Sequence, residues 1–266
     1  MAAVALAPEV IFSLYGVKIT NSILATLFVD VILISIVFMV KKNLSAVPGK
    51  LQNITESTIS TFYTLTEEIS GKFANSIFPW FASFFIFIFF SNILGLLPGF
   101  GSIGFFHDVS VNSGNHTEVH FIPLLRAATS DFNTTFALAT VSLVATHFLS
   151  IKYNGVIAYL HRFFSFNPIY LFVGLLELVS EVTKIASLSF RLFGNIYAGE
   201  VVIHTISSIF AFVAPIPFLL LESIVALVQA MVFSMLTMVF MSILITPHRE
   251  EAARRRGPSA QKGGEH

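Results

Sequence analysis

SFRLFGNIYAGE, residues 189–200, places an arginine and a glutamate in a part of the chain that is otherwise rich in Phe, Leu, Ile and Val. Arg191 stands nine residues before Glu200. A charged side chain at the centre of a bilayer costs about 2.5–3.5 kcal/mol on insertion scales and commonly marks a functional site. The stretch therefore indicates a membrane-embedded helix that carries a functional cation.

The composition is that of a polytopic membrane protein. Hydrophobic residues make up 55% of the 266 residues and charged residues only 11%, and phenylalanine occurs 30 times. Lys and Arg balance Asp and Glu at 15 each, so the net charge favours no nucleic-acid partner. The absence of cysteine excludes disulfides and thiolate metal sites. The first ten residues lack a basic region, so we expect no cleaved signal peptide.

Five apolar stretches are long enough to cross a bilayer, which requires about 20 residues per helix. They cover residues 22–40, 77–97, 132–151, 168–214 and 218–245. The fourth would measure about 70 Å as one helix, so it must tilt strongly or break near Gly194 and Gly199. Residues 51–70 have the pattern of an amphipathic helix on the inner surface. The predicted fold is therefore all-α and polytopic, with five crossings, the last two as long, strongly tilted helices.

The basic residues predict the orientation of these crossings. They concentrate between the first and second stretches, between the third and fourth, and after the fifth, which leaves Lys18 and Arg126 on the other side. The positive-inside rule then places the N-terminus outside and the C-terminus in the cytoplasm. We expect an outer segment (1–21), a membrane domain (22–247) and a cytoplasmic basic tail (248–266). The basic tail and the lack of an organellar leader favour a bacterial plasma membrane.

Polar side chains within the last two stretches need partners or water. They are Glu177, Glu181, Lys184, Arg191, Asn195, Glu200, His204, Glu222 and Gln229. Glu177, Glu181 and Lys184 share one helix face, and Glu181 can pair locally with Lys184, so a structural role is as plausible for them as a functional one. Arg191 has no acidic residue three or four positions away. Its partner is therefore expected on another helix or another chain.

The two faces of the fourth stretch predict different chemistry. Glu200 lies about 180° around the helix from Arg191, and His204 follows one turn later, so this pair could exchange a proton. Glu222 and Gln229 could continue that path, although either carboxylate could also be structural. The face around Arg191 instead carries small side chains that would let another helix approach closely: Ser180, Ser187, Gly194 and Ala198.

Two other features have alternative interpretations. The loop HDVSVNSGNHTEVH contains His107, His116 and His120, which could bind a metal ion or simply form a hydrated polar loop. Asp30 has no evident partner, so it lies near the outer interface or contacts another subunit. A proton-coupled secondary transporter would also bury such charges, but no internal repeat is visible. The motifs of intramembrane hydrolases are absent as well.

Several motifs resemble subunit a of the rotary F-type ATP synthase, bacterial type, over residues 22–247. They are SLSFRLFGNIYAGE, the stretch VALVQAMVFSMLTMVFMS that contains Gln229, and the shorter AVPGK, NILGLLPG, SDFNTTFALA and LELVSEVTKIASL. Two positions depart from bacterial members, which often have proline where Ile185 stands and histidine where Glu222 stands. The second departure implies a different distribution of acid and base along the outer proton path.

The resemblance implies a proton-conducting stator that packs against a ring of c subunits and against the peripheral-stalk b subunits, without a cofactor or an ATP-hydrolysing site. Arg191 would face the ring carboxylates and separate two offset half-channels. The implied outer half-channel contains Asp131, Asn133, Glu200, His204, Glu222 and Gln229. The implied inner half-channel contains Glu177, Ser180 and Glu181, with Lys184 and Asn195 in support. The coupling ion, H⁺ or Na⁺, and the favoured direction, synthesis or hydrolysis, are left open.

Overall fold

The computed structural model describes residues 8–14, 17–42, 44, 49–97, 99–100, 103–110, 117–163, 168–210 and 213–246. This part of the chain is mostly helical, as its composition predicts. The elements in order are β1 (Val10–Leu14), β2 (Val17–Thr20), α1 (Asn21–Lys42), α2 (Lys50–Ser70), α3 (Ala74–Leu96), β3 (Gly104–Ser110), β4 (Thr117–Pro123), α4 (Phe132–Asn154), α5 (Val156–Phe163), α6 (Pro168–Ile209) and α7 (Pro215–Ile245). The basic tail expected at 248–266 lies outside the described residues.

Four helical segments among the described residues are long and apolar enough to cross a membrane. They are Asn21–Lys42, Gln52–Leu96, Phe132–Asn154 and Pro215–Ile245, which contain four of the five predicted crossings. α6 is longer than any bilayer requires but carries Glu177, Glu181, Lys184, Arg191 and Glu200. The chain is therefore a multi-pass membrane protein, and a fifth crossing by α6 stays a prediction.

α6 is one unbroken helix of 42 residues, about 63 Å long at 1.5 Å per residue. The predicted alternative of a break near Gly194 and Gly199 is wrong. Leu188, Leu192 and Ile196 form a buried stripe at helical spacing and hold this part of α6 against the core. The packing on one face maintains the helix through both glycines, which individually cost only about 1 kcal/mol.

α7 begins at Pro215, three residues before the apolar stretch expected at 218–245. Proline is favoured at the first position of a helix because its missing N–H would have no intrahelical partner there. α7 contributes Phe233 to the centre of the core, where the ring packs 5.7 Å from that of Phe84 on α3. α3 and α7 thus form the central pair on which α4 and α6 pack.

Small hydroxyl and amide side chains join the packed helices. Ser142 on α4 bonds to Thr237 on α7 at 2.8 Å, and Thr135 lies 3.3 Å from Ser189 on α6. Ser150 donates to the Leu244 carbonyl at 3.0 Å. Small polar residues are favoured between membrane helices because they permit close approach and satisfy one another where no water is present.

The helix expected at residues 51–70 is present as α2, but its apolar residues do not share one environment. Phe62 packs in the core, 4.8 Å from the ring of Phe85 and 5.6 Å from that of Phe81. Ile54 and Ile59 are exposed. One side of α2 therefore packs on protein, and the position of its other side at the inner membrane surface stays a prediction.

Two antiparallel hairpins were not predicted. β1 pairs with β2 before the first crossing, and β3 pairs with β4 between α3 and α4, so the helical prediction holds for the long apolar segments and misses these two hairpins. The β3–β4 register places His107 opposite His120. The possible metal site in this loop includes His116, which lies outside the described residues. Asp30 is half-buried in α1 and has no ion pair within the described part of the chain.

Gly174 provides a test of how α5 is fastened to α6. A methyl group at Gly174 would lie 2.2 Å from the Phe163 carbonyl oxygen, a backbone atom that cannot move aside. We expect Gly174→Ala to lower the stability of the protein by about 1–3 kcal/mol, as overpacking does elsewhere. Thermal unfolding in detergent measures this change.

The matched control is Gly194→Ala, on the same helix, where nothing lies within 4 Å of the added methyl group. It should be neutral or slightly stabilising because alanine favours helices by about 1 kcal/mol over glycine. Equal melting temperatures for the two variants would contradict the close contact at Gly174.

Candidate functional site

Arg191 lies on an exposed face of α6 near the middle of the helix. Its guanidinium donates to the Ser187 hydroxyl at 3.4 Å. Among the described residues, no carboxylate forms an ion pair with it. A guanidinium stays protonated under all physiological conditions. The charge is therefore available to an anionic group that this chain does not supply from its described part.

The face around Arg191 is free of packing within the described structure. Ser180, Ser187 and Ala198 are exposed, and Gly194 has open space where a side chain would be. Large apolar residues of α6 are exposed on this side too, including Leu176 and Val202. The predicted small-residue groove is thus an open strip along α6.

A polar link joins α6 to α7 one turn beyond Arg191. The Asn195 amide donates to the Gln229 carbonyl oxygen at 2.7 Å. Gln229 is buried, and its amide nitrogen has no partner among the described residues. This pair brings two predicted site residues into direct contact and leaves a spare hydrogen-bond donor between the helices.

Glu200 is bound by Arg126, a residue that the sequence did not place in the site. The Arg126 guanidinium lies in the segment before α4 and donates to Glu200 Oε2 through Nη2 at 3.2 Å and through Nε at 3.4 Å. The Arg126 side chain is only 6% exposed, whereas that of Glu200 is 31% exposed. An Arg–carboxylate contact of this kind fixes the orientation of the acid as well as its charge.

The expected exchange between Glu200 and His204 has no direct contact to support it. His204 follows one turn later on α6 and is exposed, and no hydrogen bond joins it to Glu200 within the described residues. Helical spacing placed the two side chains on one face. It could not reveal that the Glu200 carboxylate turns towards Arg126 instead.

Glu222 lies against the backbone of α6. A methyl group at Gly199 would fall 2.2 Å from the Glu222 carboxyl carbon and Oε1, so a larger residue here would displace this carboxyl group. Glu222 is 6% exposed, and its Oε1 has no hydrogen-bond partner among the described residues. Gly199 therefore positions the second acid beside Glu200, on the neighbouring helix.

A cavity of about 840 Å³ lies beside Arg126 and Glu200. It is bounded by the end of α3, the segment before α4, the last turns of α6 and the start of α7. Its polar lining includes Asn92, Arg126, Glu200, His204 and Ser207. A cavity of this size with several polar groups can hold water. Glu200 thus lies where a water-filled space meets the helix that carries Arg191.

Asp131 and Asn133 stand at the start of α4, as the sequence indicated. The Asp131 carboxylate accepts a hydrogen bond from the Asn133 backbone N–H at 2.9 Å and caps the helix. Asp131 is buried, whereas Asn133 is exposed. Neither residue lines the cavity. The structure thus gives Asp131 a capping role and leaves its place in a proton path as a proposal.

A second polar cluster occupies the other half of α6. Lys184 donates to Glu181 Oε1 at 2.7 Å, which is the local pair expected from their spacing. Glu181 Oε2 lies 3.8 Å from Nε2 of His147 on α4. Glu177 lies half-buried one turn earlier. The acids of this cluster and those beside the cavity therefore occupy opposite sides of Arg191 along one helix.

The sequence analysis missed three residues of these clusters: Arg126, His147 and Tyr159. Arg126 was noted only as an outer basic residue. His147 had a usable signal, because it is the one charged or titratable side chain of the apolar stretch 132–151. Tyr159 contacts His147 from α5, and nothing in the local pattern connects it to α6.

Comparison with known proteins gives a consistent family. A model of the ATP synthase A chain family matches residues 23–242. The chain is 28% identical over 241 residues to ATP synthase subunit a of Moorella thermoacetica, covering 91% of this chain and 98% of that protein. It is 30% identical to the subunit a of Legionella pneumophila, covering 89% and 91%. It is 32% identical to that of Syntrophobacter fumaroxidans, covering 81% and 80%.

The Arg126–Glu200 ion pair can be tested by a double-mutant cycle. We expect Arg126→Gln and Glu200→Gln to be coupled by about 1–2 kcal/mol in the free energy of unfolding, as contacting charged residues are. We expect no larger coupling energy, because Glu200 is partly exposed and solvent weakens its ion pair. Equilibrium denaturation in detergent gives the four free energies.

Lys18→Gln serves as the control, because Lys18 is an exposed cation of β2. Combined with Glu200→Gln, it should be additive. Additivity in the Arg126 cycle as well would show that the contact contributes nothing specific.

Proposed function

The chain belongs to the ATP synthase A chain family and acts as the proton-translocating a subunit of an ATP synthase, and from this premise we propose how its charges direct protons. Protons enter one half-channel, bind to carboxylates on a ring of c subunits, are carried by its rotation, and leave by a second half-channel. Arg191 stands between the two. A proton-coupled secondary transporter is not favoured, because the matches cover most of the chain.

The observation that carries this proposal is the exposed Arg191 without a carboxylate partner among the described residues. The open strip of small residues around it suits the close approach of a helix from another subunit. A carboxylate on that helix would pair with the guanidinium in its ionised form and release its proton. The fixed cation then prevents protons from passing directly between the half-channels.

The outer half-channel begins in the cavity. Arg126 holds Glu200 at the cavity wall, and His204 lies near the mouth. Glu222 receives protons beside Gly199, and Gln229 and Asn195 carry the hydrogen-bonded path to the level of Arg191. Asp131 and Asn133 support the same region from the start of α4.

The inner half-channel lies towards the start of α6. Glu177, Ser180 and Glu181 provide its acceptors, and Lys184 neutralises the buried Glu181. The two half-channels are offset because their acids lie on either side of Arg191 along α6. Moving one charge through the membrane field is worth about 2.3 kcal/mol per 100 mV. Because the half-channels are offset, a proton crosses the membrane only when the ring rotates, so this energy drives rotation.

The proposed arrangement has five crossings, including a tilted α6, with the N-terminus outside and the C-terminus in the cytoplasm of a bacterial plasma membrane. It assembles with the c ring and the peripheral-stalk b subunits. The basic loops provide the orientation. α1 exposes apolar side chains along most of its length, among them Val31, Val37 and Phe38, which suits contact with lipid.

Arg191→Ala should abolish coupled ATP synthesis and raise the passive proton leak of membrane vesicles. Without the fixed cation, a ring carboxylate could exchange protons with both half-channels. Arg191→Lys should also fail to support synthesis, because the compact ammonium lacks the reach and planar geometry of guanidinium. Proton permeability of vesicles that carry the membrane sector without its soluble head, with ATP-driven pumping of the intact complex, measures both effects.

Ser187→Ala is the control for Arg191, since it removes the hydrogen-bond partner that the described residues give the guanidinium and keeps the charge. It should retain most of the coupled activity. Normal pumping by an assembled Arg191→Ala complex would refute the proposed mechanism.

The orientation can be tested separately because the chain has no native cysteine. Cysteines at Lys72 and at Lys18, both exposed, should be labelled from opposite sides of sealed vesicles by a membrane-impermeant maleimide. Lys72 should react from the cytoplasmic side and Lys18 from the outside. Labelling of both positions from one side would overturn the five-crossing arrangement.

A further inference from the structure

Residues of three helices form the cluster around Glu181. Lys184, on the same helix α6, donates to Glu181 Oε1 at 2.7 Å. His147 of α4 presents Nε2 to Glu181 Oε2 at 3.8 Å, and its Nδ1 lies 3.0 Å from the Tyr159 hydroxyl of α5. The Glu181 side chain is 7% exposed and that of His147 is 20% exposed. A titratable ring thus connects the most buried acid of the inner cluster with a hydroxyl group on a short peripheral helix.

The surroundings determine which nitrogen of His147 carries the proton. An ionised carboxylate only accepts hydrogen bonds, so a lone pair on Nε2 would face the Glu181 oxygen unfavourably. The resting ring therefore carries its proton on Nε2, and the Tyr159 hydroxyl donates to Nδ1. The ring is held from both sides, and Phe163 packs edge-on against it with ring centroids 6.5 Å apart.

The contact between His147 and Glu181 is slightly longer than a hydrogen bond, so a water that joins them lies beside the pair and not between the two atoms. At 3.8 Å the contact is too long for a direct hydrogen bond, and one water can bridge such a pair. Glu181 Oε2 is buried and has no hydrogen-bond partner among the described residues. This oxygen therefore has an unused acceptor site directed towards the histidine.

A purely electrostatic role does not account for His147. Lys184 already neutralises Glu181, and its ammonium group also lies 4.7 Å from the centre of the Phe240 ring of α7. A second cation beside one carboxylate is not required for pairing. An imidazole with one nitrogen towards an acid and the other towards a hydroxyl has instead the geometry of a proton carrier.

We propose that His147 is a proton-transferring residue of the inner half-channel, linking Tyr159 at the cytoplasmic end to Glu181. This inference rests on the proposed function and extends it to a residue outside the acids assigned there. Consider a proton that moves from the cytoplasm towards the c ring. The Tyr159 hydroxyl gives its proton to Nδ1 of His147 and takes up the incoming proton from water. The transient imidazolium then releases its Nε2 proton through the bridging water to Glu181.

The charges and protons balance in this step. One proton enters at Nδ1 and one leaves at Nε2, and the imidazole is neutral before and after the transfer. The imidazole is left with its proton on Nδ1. In this form its Nε2 can accept a proton from Glu181 when protons move in the opposite direction. Exchange of the two tautomers through Tyr159 and water resets the site.

Other ionisable residues on the packed helices define the field at His147. They are Glu177 and Lys184 on α6 and Lys152 on α4. α7 contributes none near the cluster, since Glu222 is its single ionisable residue and lies against Gly199. The groups closest to the two ring nitrogens are the Tyr159 hydroxyl, 3.0 Å from Nδ1, and the Glu181 carboxylate, 3.8 Å from Nε2.

The test compares His147→Gln with the unaltered protein in the whole complex. Glutamine retains a hydrogen-bonding side chain but cannot titrate. In vesicles stripped of the soluble head, we expect proton conduction roughly tenfold slower, with a flatter dependence on the pH of the cytoplasmic side between about 5.5 and 8. Imidazole buffer added on that side should restore part of the rate.

Tyr159→Phe provides a second, milder variant, because it removes only the hydroxyl at Nδ1. It should slow conduction less than His147→Gln and shift the pH profile. Should His147→Gln fail to assemble, Tyr159→Phe decides the question. Tyr153→Phe is the matched control, since this α4 tyrosine bonds to Ser76, away from the cluster, and should leave rate and profile unchanged.

An unchanged rate and pH profile in His147→Gln would overturn the inference. If His147→Gln does not assemble, an unchanged rate and pH profile in Tyr159→Phe would overturn the inference. The proposed function has a separate criterion. If it were wrong, vesicles with unaltered protein would not conduct protons through the membrane sector, and Arg191→Ala would not change their leak.

Discussion

The structure depends on one constraint, which is the cost of an ionised group away from water. Arg126 pairs with the carboxylate of Glu200, and Lys184 pairs with the carboxylate of Glu181. Each pair is formed within the described chain, so neither charge is left uncompensated away from water. Arg191 is treated differently, because it has only a hydroxyl partner there. The helix bundle around α6 therefore presents a cation whose counter-charge must come from outside it.

The general plan follows from the sequence because bilayer thickness leaves few choices. Apolar stretches near residues 22–40, 77–97 and 132–151 became α1, α3 and α4 with small changes at their ends. The extent of α6 as a single helix did not follow, since Gly194 and Gly199 permit either a bend or a continuous helix. Contacts of Leu188, Leu192 and Ile196 with the core decide in favour of continuity. The hairpins were missed because their short strands lack an extended alternating pattern.

The candidate site was predictable only as far as contacts along one helix reach. The pair Glu181 and Lys184 follows from a separation of three residues. Arg126 and Glu200 are 74 residues apart, and His147 and Glu181 come from different helices, so no spacing rule connects them. Gly199 shows the same limit. Its importance comes from the Glu222 side chain of α7, which occupies the space that a side chain at position 199 would take, and only the packed structure reveals this contact.

The continuity of α6 has a consequence for which changes in length the protein can tolerate. Glu181, Arg191 and Glu200 lie on one rigid rod, about 15 Å and 13.5 Å apart along its axis at 1.5 Å per residue. Inserting one residue between them would rotate everything beyond it by about 100° and direct the cation or an acid at the wrong neighbour. Spacing within residues 181–200 is therefore as strictly constrained as the chemistry of the side chains themselves, whereas the loops at either end of the helix can vary in length.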